Sequence, residues 1–263
     1  MQMDQLLNGV IEVVSEVGDF IANAINSRHN IQTKSIHNYV TETDKSAEYM
    51  LVERLGALLP GSVFLTEEET VEQREGEFRW IIDPLDGTTN FIHGFYPVAV
   101  SVALEWESEI FIGVVYEIGQ KEMFYAIKGK GAFLNGKRIK VSATDDFDKS
   151  LLATGFPFHK YEILDKYTDL LKELMLMTSG IRRLGSAATD LVYTATGRFD
   201  AFYEYGLNPW DVAAGALIVK EAGGIVSDFS GAENWLFGGE IIASNLHIYE
   251  QLLSLIKQKI LGS

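Results

Sequence analysis

The chain contains no cysteine, which excludes disulfides and thiolate metal sites and makes a reducing cytoplasm the expected setting. Proline is scarce, five in 263 residues, and no stretch reads as a Pro-rich linker, an internal repeat or a low-complexity tract. The parts of such a chain should pack closely rather than hang apart. Long apolar runs are missing too, and none approaches the roughly 20 residues of a membrane span. No positive side chain precedes Arg28, so no signal peptide is expected.

Positive charge is also in short supply. Lys and Arg number 22 against 37 Asp and Glu, a net charge of −15. A surface that acidic repels nucleic acid and anionic membranes, so neither is expected as a partner. A phosphorylated substrate is compatible with it, because bound metal ions can reverse the charge of one site locally. The histidines, His29, His37, His93, His159 and His247, show no zinc spacing and read as ordinary surface or loop residues.

What is present is a large apolar fraction, 47%, ample for a sizeable core. Leu6, Leu7, Val10, Val13, Val14, Val17, Phe20 and Ile21 recur at helical spacing, which predicts an amphipathic helix of about 20 residues. Residues 28–42 lose that pattern and read as a polar loop. Thr43 is the expected N-cap of a second helix that ends at Pro60-Gly61. From Ser62 the pattern turns to short strands, at 63–65, 80–82, 98–106, 110–116 and 122–127, with a hairpin signal at Asn135-Gly136. This predicts an antiparallel meander. After about residue 150 strands and helices alternate: strands at 151–154, 201–205, 225–227 and 241–243, helices at 161–177, 187–196, 210–222 and from 248. The expected architecture is therefore a layered α/β (α+β) unit over 1–263. Its N-terminal half, 1–150, carries an antiparallel sheet with two helices, and its C-terminal half, 151–263, a mixed sheet with flanking helices.

One stretch stands apart. IIDPLDGTTNF, residues 81–91, brings an apolar strand to two carboxylates, Asp83 and Asp86, separated only by Pro84 and Leu85. Turn chemistry accounts for an isolated DPLDG. A divalent cation would account for it differently, turning carboxylate repulsion into attraction, with the Leu85 carbonyl as a further hard ligand. The following Gly87-Thr88-Thr89-Asn90 reads as a helix start whose amides could hold a phosphate. Two carboxylates rarely hold Mg²⁺ alone. Further candidates are the acids of TEEE, Glu67–Glu69, otherwise a solvated charge run, and Asp211, otherwise a helix-capping acid.

With those motifs in view the chain resembles the inositol monophosphatase family, among the Mg²⁺-dependent, lithium-sensitive phosphatases. WIIDPLDGTTNF (80–91) looks like its first signature and WDVAAGALIVKEAGG (210–224) like its second. VTETD (40–44), FLTEEE (64–69), KGKGAFLNGKRI (128–139), IRRLGSAATDL (181–191) and FDAFYEYGLNPWD (199–211) match in the same order, and TGFPF (154–158) looks like the bacterial members. The resemblance implies a five-layer αβαβα sandwich, two or three Mg²⁺ ions and a homodimer. It implies Glu67, Asp83, the Leu85 carbonyl, Asp86 and Asp211 as metal ligands, with Thr88 and Asp44 orienting the attacking water. It gives the phosphate to the backbone of Gly87, Thr88 and Thr89, and the substrate's hydroxyl-bearing part to Gly185, Ser186, Ala187 and Glu204. Where relatives commonly have Gly-Glu-Glu, this chain has Thr66-Glu67-Glu68, so the ligand glutamate is Glu67 or Glu68. The segment 70–79 is short beside animal relatives, a feature that would admit larger substrates.

On this reading the expected activity is hydrolysis of myo-inositol monophosphate by a metal-activated water. The alternatives are the same chemistry on fructose 1,6-bisphosphate or on the 2′-phosphate of NADP(H), and, in another class, a non-catalytic binding protein on the same fold. Asp44 on its own would read as a helix-start acid, and Glu204 as a strand-end surface acid.

Overall fold

The computed structural model describes residues 3–25, 31–35, 38–157 and 161–262, the side chains of 31–35 and 38–40 apart. His29, His37 and His159 lie outside the described residues, as does the last residue of the TGFPF motif.

The apolar stripe of the N-terminus forms α1 (Met3–Ala24), with Leu6, Leu7, Val10, Val13, Val14, Val17 and Ile21 buried on one face. The expected polar loop at 28–42 is instead largely a hairpin, β1 (Ile31–Ser35) antiparallel to β2 (Asn38–Thr41). Both strands are too short and too polar to show a hydrophobic period. The next helix, α2 (Glu42–Leu58), is capped by Thr41 and not by Thr43. The reason is a capping box across three residues: the Asp44 carboxylate reaches back to the Thr41 amide at 2.9 Å, which satisfies a donor the helix cannot.

β3 (Val63–Thr66), β4 (Phe78–Asp86), α3 (Thr88–Ile92), β5 (Ala99–Trp106), β6 (Glu109–Glu117), β7 (Glu122–Ile127), β8 (Gly131–Leu134) and β9 (Lys137–Arg138) follow. Their strands form one sheet in sequence order. It is antiparallel except at its edge, where β3 runs parallel to β4 with Val63 opposite Arg79. The charged segment between these strands, 67–77, is long enough to cross over, so no tight reversal is needed.

The second half contains β10 (Leu151–Thr154), α4 (Leu164–Met177), β11 (Gly180–Arg182), α5 (Ala187–Ala195), β12 (Ala201–Tyr205), α6 (Pro209–Glu221), β13 (Ile225–Ser227), β14 (Glu240–Ser244) and α7 (Tyr249–Ile256). The sheet order is β11-β10-β12-β14-β13, parallel across the first three strands and antiparallel at β14. The three-residue β11 carries no pattern of its own, and its pairing to β10 alone makes it a strand.

Three apolar cores lie between five layers. The first joins α1 and α2 to one face of the seven-stranded sheet. The second joins the other face to α5, α6 and the five-stranded sheet, and the third joins that sheet to α4 and α7. α6 is buried on every side from Val212 to Val219, so its position depends on how near its neighbours come. A Cβ on Gly113 of β6 would stand 2.7 Å from the Ala214 carbonyl oxygen. Glycine there lets the helix backbone lie on the sheet and sets where its N-terminus points.

Candidate active site

β4 loses its regular pairing at the acids. Asp83 faces Ser101 and Asp86 faces Ala99, so one extra residue is accommodated as a bulge. Pro84 has no amide for the ladder, which favours the break here. The bulge turns Asp83 inward at 2% exposure, where its Oδ1 accepts the Leu85 amide at 2.9 Å. Gly87 then adopts φ +98°, and a Cβ on it would stand 3.0 Å from the Pro97 carbonyl oxygen. Only glycine makes this corner without strain. Beyond it α3 begins, anchored by the buried Phe91.

Asp44, 1% exposed on the first turn of α2, approaches the same corner. Its Oδ2 is held by the Thr41 amide and hydroxyl, and its Oδ1 accepts the Thr88 hydroxyl at 3.1 Å. Thr88 Oγ1 also lies 3.2 Å from the Leu85 carbonyl. Of the two candidate glutamates, Glu67 is the one whose carboxyl bonds Asp83; the amide of Glu68 turns to Glu48 at 2.8 Å.

The C-terminal half closes the other side. Ser186 caps α5 and donates to Asp86 Oδ2 at 2.7 Å, and the Ala188 amide donates to the same oxygen at 2.7 Å. Asp211 occupies the first turn of α6 and accepts the Asn208 amide at 2.6 Å. Asn90 ties the halves together, donating to the carbonyls of Pro97 at 2.8 Å and Leu184 at 2.9 Å. Between the halves lies a cavity of about 120 Å³ lined by Asp86, Gly155, Arg183, Gly185, Ser186, Ala187, Glu204, Leu207 and Asp211. Glu204 reaches it from β12 only because residue 155 is glycine, since a Cβ there would fall 1.8 Å from Glu204 Oε1. The Thr89 side chain is exposed, so only its backbone belongs to the corner. A larger hollow of about 570 Å³ near Trp235 and Phe237 holds Arg79 and Lys220, but Glu105 and Glu233 pair with them at 2.5 and 3.1 Å.

Gathering acids in a buried place raises their pKa values. Burial, then the charges of Glu67, Asp86 and Asp211, holds Asp83 well above the usual carboxylate range. Burial pushes Asp86 up to about 6, against the Ser186 and Ala188 bonds that favour its charged form. Asp211 rises to about 8 through burial and the charge of Asp86. Glu204 also rises to about 8 through burial, with Arg183 opposing. Asp44 is raised by burial despite its bonds to Thr41 and Thr88.

Among the described residues no three acids or histidines form a ready-made ion cage. The donor chemistry nevertheless suits a hard divalent cation. Four carboxylates, Glu67, Asp83, Asp86 and Asp211, bear on one another's charge in this buried place, with the Leu85 carbonyl between two of them in the chain. The backbone and hydroxyl bonds described above occupy Oδ1 of Asp83 and Oδ2 of Asp86 and Asp211, one oxygen of each. Oxygen donors that repel one another in a buried place are what Mg²⁺ binding relieves.

Several contributors escaped the sequence reading. Gly155 sat inside a quoted motif without a role, and Asn90 was read only as part of a helix start, not for its side chain's bonds across the site. Arg183 is the cation on the cavity wall. Asp190, 1% exposed on α5, has its Oδ1 without a hydrogen-bond partner and is raised well above the usual range by burial and by Glu204 and Asp86. One helical turn beyond Ser186, its position was legible; its burial was not.

The Inositol monophosphatase family matches residues 2–261. The chain is 42% identical over 262 residues to "Nus factor SuhB" of Pseudomonas aeruginosa, covering 97% of each. Among solved structures, the extragenic suppressor protein SuhB of Bartonella henselae aligns with a TM-score of 0.93 at 38% identity, over 97% of this chain and 100% of that one. The Thermotoga maritima IMPase aligns with a TM-score of 0.88 at 34% identity, over 96% of each.

These relatives correct one expectation. Net charge argued against any nucleic-acid partner, yet a full-length relative is named a Nus factor. A charge of −15 is a sum over the whole chain, buried acids included; it does not determine what a local patch or a protein-mediated contact can do. Among the described residues no helix is long and apolar enough to cross a membrane.

Proposed function

This chain belongs to the inositol monophosphatase family, and on that premise we propose that it is a Mg²⁺-dependent phosphomonoesterase that releases phosphate from myo-inositol monophosphate. The observation that carries the reading is the arrangement around the end of β4. A hydroxyl backed by a buried carboxylate, Thr88 on Asp44, stands on one side, and a small polar cavity ending at Glu204 stands on the other.

Glu67, Asp83, Asp86, Asp211 and the Leu85 carbonyl would hold the metal. When bound, Mg²⁺ supplies Lewis acidity and neutralises phosphate charge. The Asp44 carboxylate accepts a hydrogen bond from the Thr88 hydroxyl, so the lone pairs of Thr88 Oγ1 are left to accept from the attacking water and fix its line of approach. Backbone amides at Gly87, Thr88 and Thr89 orient the phosphate, and the Gly87 corner lets the chain come near enough to do so. Ser186 and the Ala188 amide keep Asp86 from turning away. Glu204 accepts hydrogen bonds from hydroxyls of the departing alcohol, which ranks substrates by their hydroxyl pattern. The chain has no cysteine to act as nucleophile, and none of its histidines sits in a phosphatase-like motif, which favours direct attack by water over a covalent route.

A second reading keeps the chemistry and enlarges the substrate to fructose 1,6-bisphosphate or the 2′-phosphate of NADP. Arg183 favours it, as a cation on the cavity wall that a second phosphate would seek. Phosphate release from the three esters, with Mg²⁺ and with excess chelator, separates the readings. The inositol ester should turn over fastest and only with Mg²⁺. Undiminished release under chelation would overturn the metal reading, and preference for a bisphosphate would favour the second.

A further inference from the structure

The segment that carries Glu67 is held from both directions. Upstream, Thr66 is paired to Ile82 in the sheet, and its carbonyl accepts the Gln73 side-chain amide at 3.0 Å. Glu67 keeps one bond to the sheet, its amide donating to the Ile82 carbonyl at 3.3 Å; beyond it the chain leaves the sheet, and the restraint comes from α2. Glu48, one helical turn after Asp44, is fully buried at 0% exposure. Its Oε2 accepts the Glu68 amide at 2.8 Å, and its Oε1 accepts the Thr70 amide at 2.8 Å and the Thr70 hydroxyl at 2.7 Å. Between the two clamped amides lies Glu69 at φ +52°, a left-handed conformation that a side chain adopts only at a cost. Such a turn keeps its shape when an outside group over-determines it, and three bonds to one buried carboxylate do so.

α2 therefore presents two buried carboxylates four residues apart, on one face of the helix. Asp44 takes the Thr88 hydroxyl, and Glu48 takes the turn next to Glu67. We propose that Glu48 is a positioning residue: by clamping the backbone of Glu68 and Thr70 it fixes where the Glu67 carboxylate stands against Asp83, and so sets the affinity of the acidic centre for a divalent cation. The proposal rests on the reading of Glu67 as a metal ligand. A carboxylate is required, because both oxygens accept. In Glu48→Gln one oxygen becomes an NH₂ group that faces an amide donor, so one side of the clamp fails with no hole left in the core.

The test uses Mn²⁺ as the probe, its free concentration followed by electron paramagnetic resonance, with wild type, Glu48→Gln, Glu67→Gln and the double variant. Circular dichroism establishes that each is folded at the temperature used. Glu67→Gln should weaken Mn²⁺ binding. Glu48→Gln should weaken it by about 10-fold or more, the scale on which groups orienting a ligand act. The double variant should bind no more weakly than Glu67→Gln, because Glu48 acts through Glu67. Wild-type Mn²⁺ affinity in Glu48→Gln, or losses that add in the double variant, would reduce Glu48 to a structural tether. Wild-type affinity in Glu67→Gln would remove the ligand reading itself, and the clamp's role with it. Should Glu48→Gln fail to fold, Thr70→Val removes only the hydroxyl contact, and should weaken Mn²⁺ binding by a few-fold; unchanged affinity there overturns the proposal.

Discussion

Asp211→Asn exchanges a buried carboxylate for a neutral side chain of the same shape in the first turn of α6, where it can still accept the Asn208 amide. Burial and the charge of Asp86 lift the carboxyl from 3.8 to about 8, so the cation-free protein carries it largely protonated at neutral pH. At about 1.4 kcal/mol per pH unit, retaining that proton at pH 7 costs at most about 4 kcal/mol relative to the unfolded chain. Asp211 keeps some exposure, so solvent screens part of that cost. The net gain expected for the variant without metal is about 1–2 kcal/mol, a rise in Tm of about 2–8 °C for a chain of this size.

The pH dependence has a definite sign. Asp211 has a folded pKa above its unfolded value, so its contribution is fully present below 3.8 and is lost as pH rises through about 8. Wild type in chelator should therefore lose stability across that window, and the variant should lose less. Asp86, raised to about 6, and Glu204, raised to about 8, keep some slope in both. Added Mg²⁺ should raise the wild-type Tm by mass action and the variant's far less. Calorimetry in chelator across the pH window, then with Mg²⁺, reads both effects. A variant less stable than wild type in chelator at neutral pH, or one equally stabilised by Mg²⁺, would refute the account of the acidic centre.

Thr88→Ala and Asp44→Ala should each cripple turnover, with the double variant little worse than either; additive losses would return Asp44 to the role of a helix-start acid. Glu204→Gln should raise KM for inositol phosphate by the equivalent of about 1–3 kcal/mol and leave p-nitrophenyl phosphate hydrolysis unchanged. Equal losses on both esters would place Glu204 outside substrate recognition. Gly87→Ala should lower stability by about 1–3 kcal/mol, the cost of a strained backbone, and reduce turnover with it; a variant with wild-type Tm would show that the corner relaxes freely.

Local chemistry carries far in this chain. The spacing of Leu6 to Ile21 settles α1 within its own turns, and Asn135-Gly136 settles the β8–β9 reversal. The run from Ile81 to Phe91 announces a strand, two acids and a helix start with no help from elsewhere. Such features depend on neighbours a few residues apart, so the sequence alone determines them. The hairpin of β1 and β2, the parallel edge at β3 and the short β11 depend on partners supplied by other segments, and no local period announces them. The site divides in the same way. Asp83 and Asp86 were legible as a pair, but Asp86 is held by Ser186 and by the Ala188 amide, 100 and 102 residues away. Glu48 is one of several acids on a helix of low amphipathicity until the turn after β3 folds over it. Burial is a property of the assembled layers, and a carboxylate's pKa follows burial more than residue type. Only the tertiary structure, by closing two sheets around α5 and α6, decided which acids would share one field and which would face water.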